Sequence, residues 1–150
     1  MDNWEYPATD AGWVSSGMGS ERITFENDEG QTLAGRLDTP GGDPRGLALF
    51  AHCFTCSKDT LAASRIARGL VDRGVAVLRF DFTGLGESEG DFDATCFASN
   101  VRDLLSACDW LTAHHAPVDL LIGHSLGGAA VVSAAGQMAS VKGVATIGAP

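Results

Sequence analysis

Ser125 stands between two glycines in Gly123-His124-Ser125-Leu126-Gly127, and a hydroxyl so placed is a candidate nucleophile. A serine oxygen attacks a carbonyl carbon when a base takes its proton and donors hold the negative charge that develops. The pattern G-x-S-x-G carries little weight by itself in a chain with 19 glycines. Its surroundings strengthen it. The apolar run "VDLLIG" (118–123) precedes it, and the small-residue helical pattern "LGGAAVVSAAGQMA" (126–139) follows. A serine joining a strand to a helix sits on a sharp turn with its oxygen exposed. Gly123 and Gly127 remove side chains that would obstruct such a turn, while Gly128, Ala129 and Ala130 let the helix pack close to the sheet. The oxygen would then stand at a helix N-terminus, where the partial positive charge favours a developing anion, with the Leu126 amide as one donor. The bland alternative is a tight turn with a capping serine.

A second constellation is Cys53-Phe54-Thr55-Cys56, a C-x-x-C between a strand and a helix, where a redox pair would sit. A nearby helix N-terminus would lower the thiol pKa of Cys56. The opposing reading makes both cysteines small loop-shaping residues. Zinc held by Cys53, Cys56 and His52 would need a fourth ligand that no residue nominates. Cys108 falls on an apolar helix face and reads as core; Cys96 is undecided. "GLGESEG" departs from the dinucleotide fingerprint G-x-G-x-x-G, and Glu87 and Glu89 read as a solvated loop. No cofactor is nominated.

These residues need elements to position them. "RITFEN" and "TLAGRLD" alternate as strands joined by a "DEG" hairpin turn. "GLALFAH" (46–52) is a continuous apolar run, as expected of a strand buried on both faces of a parallel sheet, and "VAVLRFDF" (75–82) reads as another buried strand. Between them "KDTLAASRIARGLVDRG" reads as a helix, with Ala62, Ile66 and Leu70 on its apolar stripe and Gly74 as its stop. A longer helix carries Phe97, Val101, Leu104, Leu105, Cys108 and Leu111 on one face, with His114 and His115 as solvated residues at its C-terminal end. "KGVATIGAP" is a last strand. The expected class is α/β, a mostly parallel sheet with an antiparallel N-terminal hairpin. Residues 1–19 read as a disordered extension, with Met18 an alternative start, and residues 20–150 as the patterned domain. Nineteen acidic against ten basic residues give a net charge of −9, which argues against nucleic acid as a partner. No apolar run is long enough to span a membrane, and the N-terminus is not a signal peptide. A cytoplasmic protein follows as the default, with its four cysteines as free thiols.

Together the strand–serine–helix unit, the β-strand order and the glycine-rich loop resemble the α/β-hydrolase family over roughly residues 20–150. In that family an H-G-x element after the third strand donates a second oxyanion hydrogen bond. The match here is His52-Cys53-Phe54, with cysteine in place of glycine, so the resemblance implies that role for the Phe54 amide. It implies that His52 holds this loop in shape, and that Asp81, Gly84, Gly86 and Ser88 shape the site floor. "AHCFTCSKD" and "RFDFTGLGESEG" are more specifically similar to bacterial hydrolases fused to a C-terminal OsmC-like thiol peroxidase domain. The family orders its triad as Ser, acid, His along the chain. Residues 126–150 contain no His, Asp or Glu, and the side chain of His124 should leave the turn in another direction. Residues 1–150 therefore read as the N-terminal portion of a longer serine hydrolase acting on a small-molecule acyl substrate, inactive alone. The alternatives are a thiol redox protein using Cys53 and Cys56, or a non-catalytic hydrolase-fold partner of a peroxidase domain.

Overall fold

Six strands form one sheet in the order β1-β2-β4-β3-β5-β6 in the computed structural model, which describes residues 17–150. The strands are β1 (Gly19–Glu26), β2 (Thr32–Thr39), β3 (Gly46–Ala51), β4 (Val75–Phe80), β5 (Leu120–His124) and β6 (Gly143–Ile147). The helices are α1 (Leu61–Val71), α2 (Phe97–His114) and α3 (Leu126–Ala135), with a short 3-10 turn at Phe92–Ala94. β1 and β2 make an antiparallel hairpin, and β2 runs antiparallel to β4. β4, β3, β5 and β6 are mutually parallel. This is the architecture expected from the alternating pattern. Of the stretch read as a disordered extension, residues 1–16 lie outside the described residues, and Gly19 already opens β1.

The strand periodicity of two sorts β3 onto two cores. Leu47, Leu49 and Ala51 join Leu78, Phe80, Leu104, Leu111, Leu121 and Val131 under α2 and α3. Ala48 and Phe50 face the other way and meet Ala63, Ala67, Val77 and Ile122 beneath α1. A strand covered on both faces has no polar side to show, which explains why β3 reads as an unbroken apolar run. The hairpin turn is organised by Asn27, whose Oδ1 accepts from the amides of Glu29 (3.0 Å) and Gln31 (2.9 Å). Gly30 supplies the positive φ (77°) that the turn requires.

Two expectations shift. The buried stripe of α1 is Ala63, Ala67 and Val71, one residue on from the expected Ala62, Ile66 and Leu70. Ala62 is exposed, and Ile66 and Leu70 only flank the core. Small alanines at the contact line let the helix lie close on the sheet, and the larger side chains seal its margins. In α2, Phe97 is 43% exposed, while the polar Asn100 and Asp103 are buried with the apolar face. β6 forms one edge of the sheet, with Val144 41% and Ile147 42% exposed. No helix of the described residues is long and apolar enough to cross a membrane.

Candidate active site

Ser125 occupies the single position between β5 and α3, with φ 53° and ψ −124°. Among the described residues it alone has positive φ without being glycine. Such backbone is worth roughly 1–3 kcal/mol of strain and persists only where surroundings enforce it. Two hydrogen bonds do so here: the Ser125 amide donates to the Ile147 carbonyl (2.9 Å), and its carbonyl accepts from the Gly128 amide (2.8 Å). Its side chain makes no capping bond to α3, so the capping-serine alternative is not realised.

The glycines around it are required by contact. A Cβ on Gly123 would collide with the Gly127 carbonyl and the Gly128 backbone, and one on Gly127 with the carbonyl oxygens of Ala51 and His52. A Cβ on Gly128 would lie 2.7 Å from that of Ala149. The same closeness presses the start of α3 against the end of β3 and brings the loop after β3 to the serine. Leu126 opens α3, where an amide has no acceptor within its own helix. Its side chain is 42% exposed.

In that loop His52 is buried. Its Nδ1 bonds the Cys53 carbonyl, which can only accept, so Nδ1 carries the proton. Its ring meets the Phe82 ring edge-on at 5.2 Å. Burial pushes the His52 pKa down, and Lys58 adds to this; the Cys53 carbonyl and the Asp81 charge oppose it without prevailing. Phe54 sits over Phe82 (5.1 Å) and Phe92 (5.8 Å), both edge-on, which anchors the segment carrying its amide.

The cysteines depart from the expectation of free thiols. Cys53 and Cys56 are joined in a disulfide, closing a four-residue ring around Phe54 and Thr55. Compartment-based reasoning addresses the average cysteine, whereas here one turn, with the Cys56 amide on the Cys53 carbonyl (3.0 Å), brings the two side chains together. Nor does α1 act on Cys56: its cap is Thr60, four residues on, beyond the first-turn range of a helix dipole. Cys108 is buried, with burial pushing its thiol pKa up, as its core assignment requires. Cys96 is the exposed N-cap of α2, its thiol held below its ordinary value by hydrogen bonds from Ser99.

Beneath the loop lies a charged cluster only partly visible in sequence. Asp81 is fully buried and accepts from the Lys58 amide (2.7 Å), the Lys58 ammonium (2.9 Å) and the Glu87 amide (3.0 Å). The His52 Nε2 lies 3.7 Å away. Gly86 is needed because a Cβ there would strike the Asp81 carboxylate. Burial would lower the Lys58 pKa, but hydrogen bonds and charge from Asp81 and Asp59 outweigh it and hold it above the ordinary value. Sequence reasoning misses Lys58 because lysine is normally solvated, and no local pattern marks it as the partner of Asp81. Glu87 and Glu89 are exposed, as expected, although Glu87 also reaches Lys58 (3.4 Å) and Glu89 accepts from the Thr32 amide (2.8 Å).

The remaining histidines divide. His114 is exposed and stacks on Trp110 at 4.8 Å. His115 is half-buried rather than solvated, and burial, followed by His114, pushes its pKa down. His124 turns toward the loop after β3: its ring nitrogen and the sulfurs of Cys53 and Cys56 all lie within 4.8 Å of one another. The histidine whose ring nitrogen groups with the two sulfurs is thus His124, while His52 meets the Cys53 backbone.

A model of the alpha/beta hydrolase family matches residues 48–150. An esterase domain from Rhodothermus marinus is 54% identical with a TM-score of 0.74, over 89% of this chain and 51% of that one. Human monoglyceride lipase is 31% identical over 124 residues, 81% of this chain and 40% of the lipase. A Pyrococcus furiosus esterase, 22% identical, shares the fold at a TM-score of 0.78 over 89% of this chain and 50% of its own. The chain spans between two-fifths and about half the length of these proteins.

Proposed function

The chain belongs to the alpha/beta-hydrolase family, and we propose that within it Ser125 is the nucleophile of a serine hydrolase cleaving an ester or related acyl bond of a small molecule. The observation that carries this reading is the Ser125 backbone, held at φ 53° with a side chain that does no structural work for α3. Strain kept at a polar residue, between glycines that tolerate no Cβ, is intelligible as the aiming of an oxygen.

In the proposed reaction the Ser125 Oγ adds to the carbonyl carbon while its proton passes to a histidine supplied by the chain beyond residue 150. The amides of Leu126 and Phe54 hold the resulting oxyanion. Collapse expels the alcohol, which takes the proton from the histidine, and water then releases the acid by the same steps in reverse. The esterase and lipase relatives support the bond class. The loop motifs support a longer chain with an OsmC-like domain, acting in the cytoplasm. The Cys53–Cys56 disulfide favours a second reading, a thiol redox pair in a hydrolase-fold partner of a peroxidase domain.

One experiment separates them: turnover of small aryl esters by the full-length protein and its Ser125→Ala variant. We expect kcat to fall at least about 10³-fold, leaving only the catalysis that oxyanion donors and binding supply. Turnover that survives the substitution would refute the nucleophile and leave the redox reading standing.

A further inference from the structure

We propose that Cys53, Cys56 and His124, with the disulfide reduced, form a three-ligand site for a thiophilic divalent cation such as Zn²⁺. Three observations place it. The two sulfurs have the C-x-x-C spacing that lets one loop grip one ion. A ring nitrogen arrives from a different element, at the last residue of β5, and all three donor atoms lie within 4.8 Å. The two elements are held together independently, since β3 and β5 are paired neighbours in the sheet, with Ala51 opposite Gly123.

The distances suit the chemistry. Zinc takes sulfur at about 2.3 Å and nitrogen at about 2.0–2.1 Å, so two donors on a tetrahedral ion stand about 3.5–3.8 Å apart. On reduction the two sulfurs part from bonding distance to about 3.8 Å, and the His124 ring nitrogen, within 4.8 Å of both, approaches by about 1 Å; rotamer changes supply both movements. Cys53 is buried and Cys56 and His124 are half-buried, so the ion would be partly shielded yet reachable. Two thiolates and an imidazole leave one tetrahedral position open, the pattern of a site whose fourth ligand is water or another small ligand.

Formation has two balanced steps. A dithiol transfers two electrons and two protons to the Cys53–Cys56 bond, becoming a disulfide itself and leaving two thiols. The cation then displaces one proton from each thiol and accepts the lone pair of a His124 ring nitrogen. Disulfide and ion exclude each other because both need the same two sulfurs. His124 is covalently adjacent to Ser125, so on the nucleophile reading above an ion held there obstructs the serine and arrests turnover.

The test uses the full-length protein and Co²⁺ as an optical probe, after reduction by a phosphine, which takes the oxygen of one water and leaves as its oxide while the water's two protons go to the thiols. We expect one Co²⁺ per chain with thiolate-to-cobalt charge-transfer absorption, absent from the oxidised protein and from Cys53→Ser/Cys56→Ser. The double variant also gives the background from Cys96 and Cys108. His124→Ala should keep the absorption but bind at least about tenfold more weakly, as loss of a ligand does. Reduced wild-type protein with no more absorption than the oxidised form would overturn the site without any variant having to fold. Unchanged affinity in His124→Ala would overturn the three-ligand assignment. None of these readouts uses turnover, so failure of the nucleophile reading shows separately, as Ser125→Ala activity. Saturation with Zn²⁺ should reduce turnover of the reduced enzyme at least tenfold and leave the oxidised enzyme unaffected; binding without that loss would overturn the inhibitory half.

Discussion

Ser125 is a residue at which stability and the proposed chemistry pull in opposite directions. Its φ of 53° is one that glycine adopts freely and alanine does not. Ser125→Gly should therefore be more stable than Ser125→Ala by about 1 kcal/mol, the relieved strain being partly offset by the greater freedom of glycine when unfolded. Urea unfolding of the two variants checks this, and equal midpoints would mean the turn is not strained. This position was legible in the sequence because the residue types that tolerate the turn are few. The partners of the cysteines were not. Whether Cys53 meets Cys56, and which histidine stands beside them, depends on how the end of β3 lies against the end of β5. No local pattern encodes that.

Among the elements, α3 is the one whose placement decides the site. Its first turn lies so near β3 that Gly127 has no room for a methyl group against the Ala51 and His52 carbonyls. Gly127→Ala should cost about 1–3 kcal/mol, the usual penalty of overpacking, and should lower ester turnover as the loop bearing Phe54 is displaced. Thermal melting and kinetics on the same variant test both halves. Strands were easier to read than helix faces. β3 announces itself as an apolar run because both its faces are covered, and β4 is nearly as plain, interrupted only by the buried Arg79. The stripe of α1 was misplaced by one residue because Ala63 and Ala67, which make its contact line, are less conspicuous than Ile66 and Leu70 beside them. Asn100 and Asp103 in α2 were unreadable as buried groups. Asp103 owes its burial to acceptor positions filled by the Thr83 amide (2.9 Å) and hydroxyl (2.8 Å), some twenty residues away.

At the scale of the whole molecule, buried ionisable groups set the response to pH. His52 and His115 both have pKa values below the ordinary 6.5, burial being the main cause. As pH falls through 6.5 the unfolded chain takes up protons that the folded histidines refuse, so stability should decline there and level off below their folded values. Asp103 acts with the opposite sign. Burial raises its pKa above 3.8, so between that raised value and 3.8 acidification favours the folded state. Urea midpoints from pH 7.5 to 4 should show the histidine decline, with a shallower slope in His115→Asn; an identical slope would remove His115 from this account. The sheet order carries a consequence of another kind. The Ser125 amide is tied to the carbonyl of Ile147, and β3 lies between β4 and β5, strands made later than itself. On a chain emerging from the ribosome the serine is synthesised well before the strand that holds its backbone. Until Ile147 has emerged and β6 has paired with β5, that bond cannot form. A nascent chain therefore carries Ser125 unaimed, and the backbone bond that helps fix its turn forms only when Ile147, 22 residues further on (147 − 125), has docked with β6.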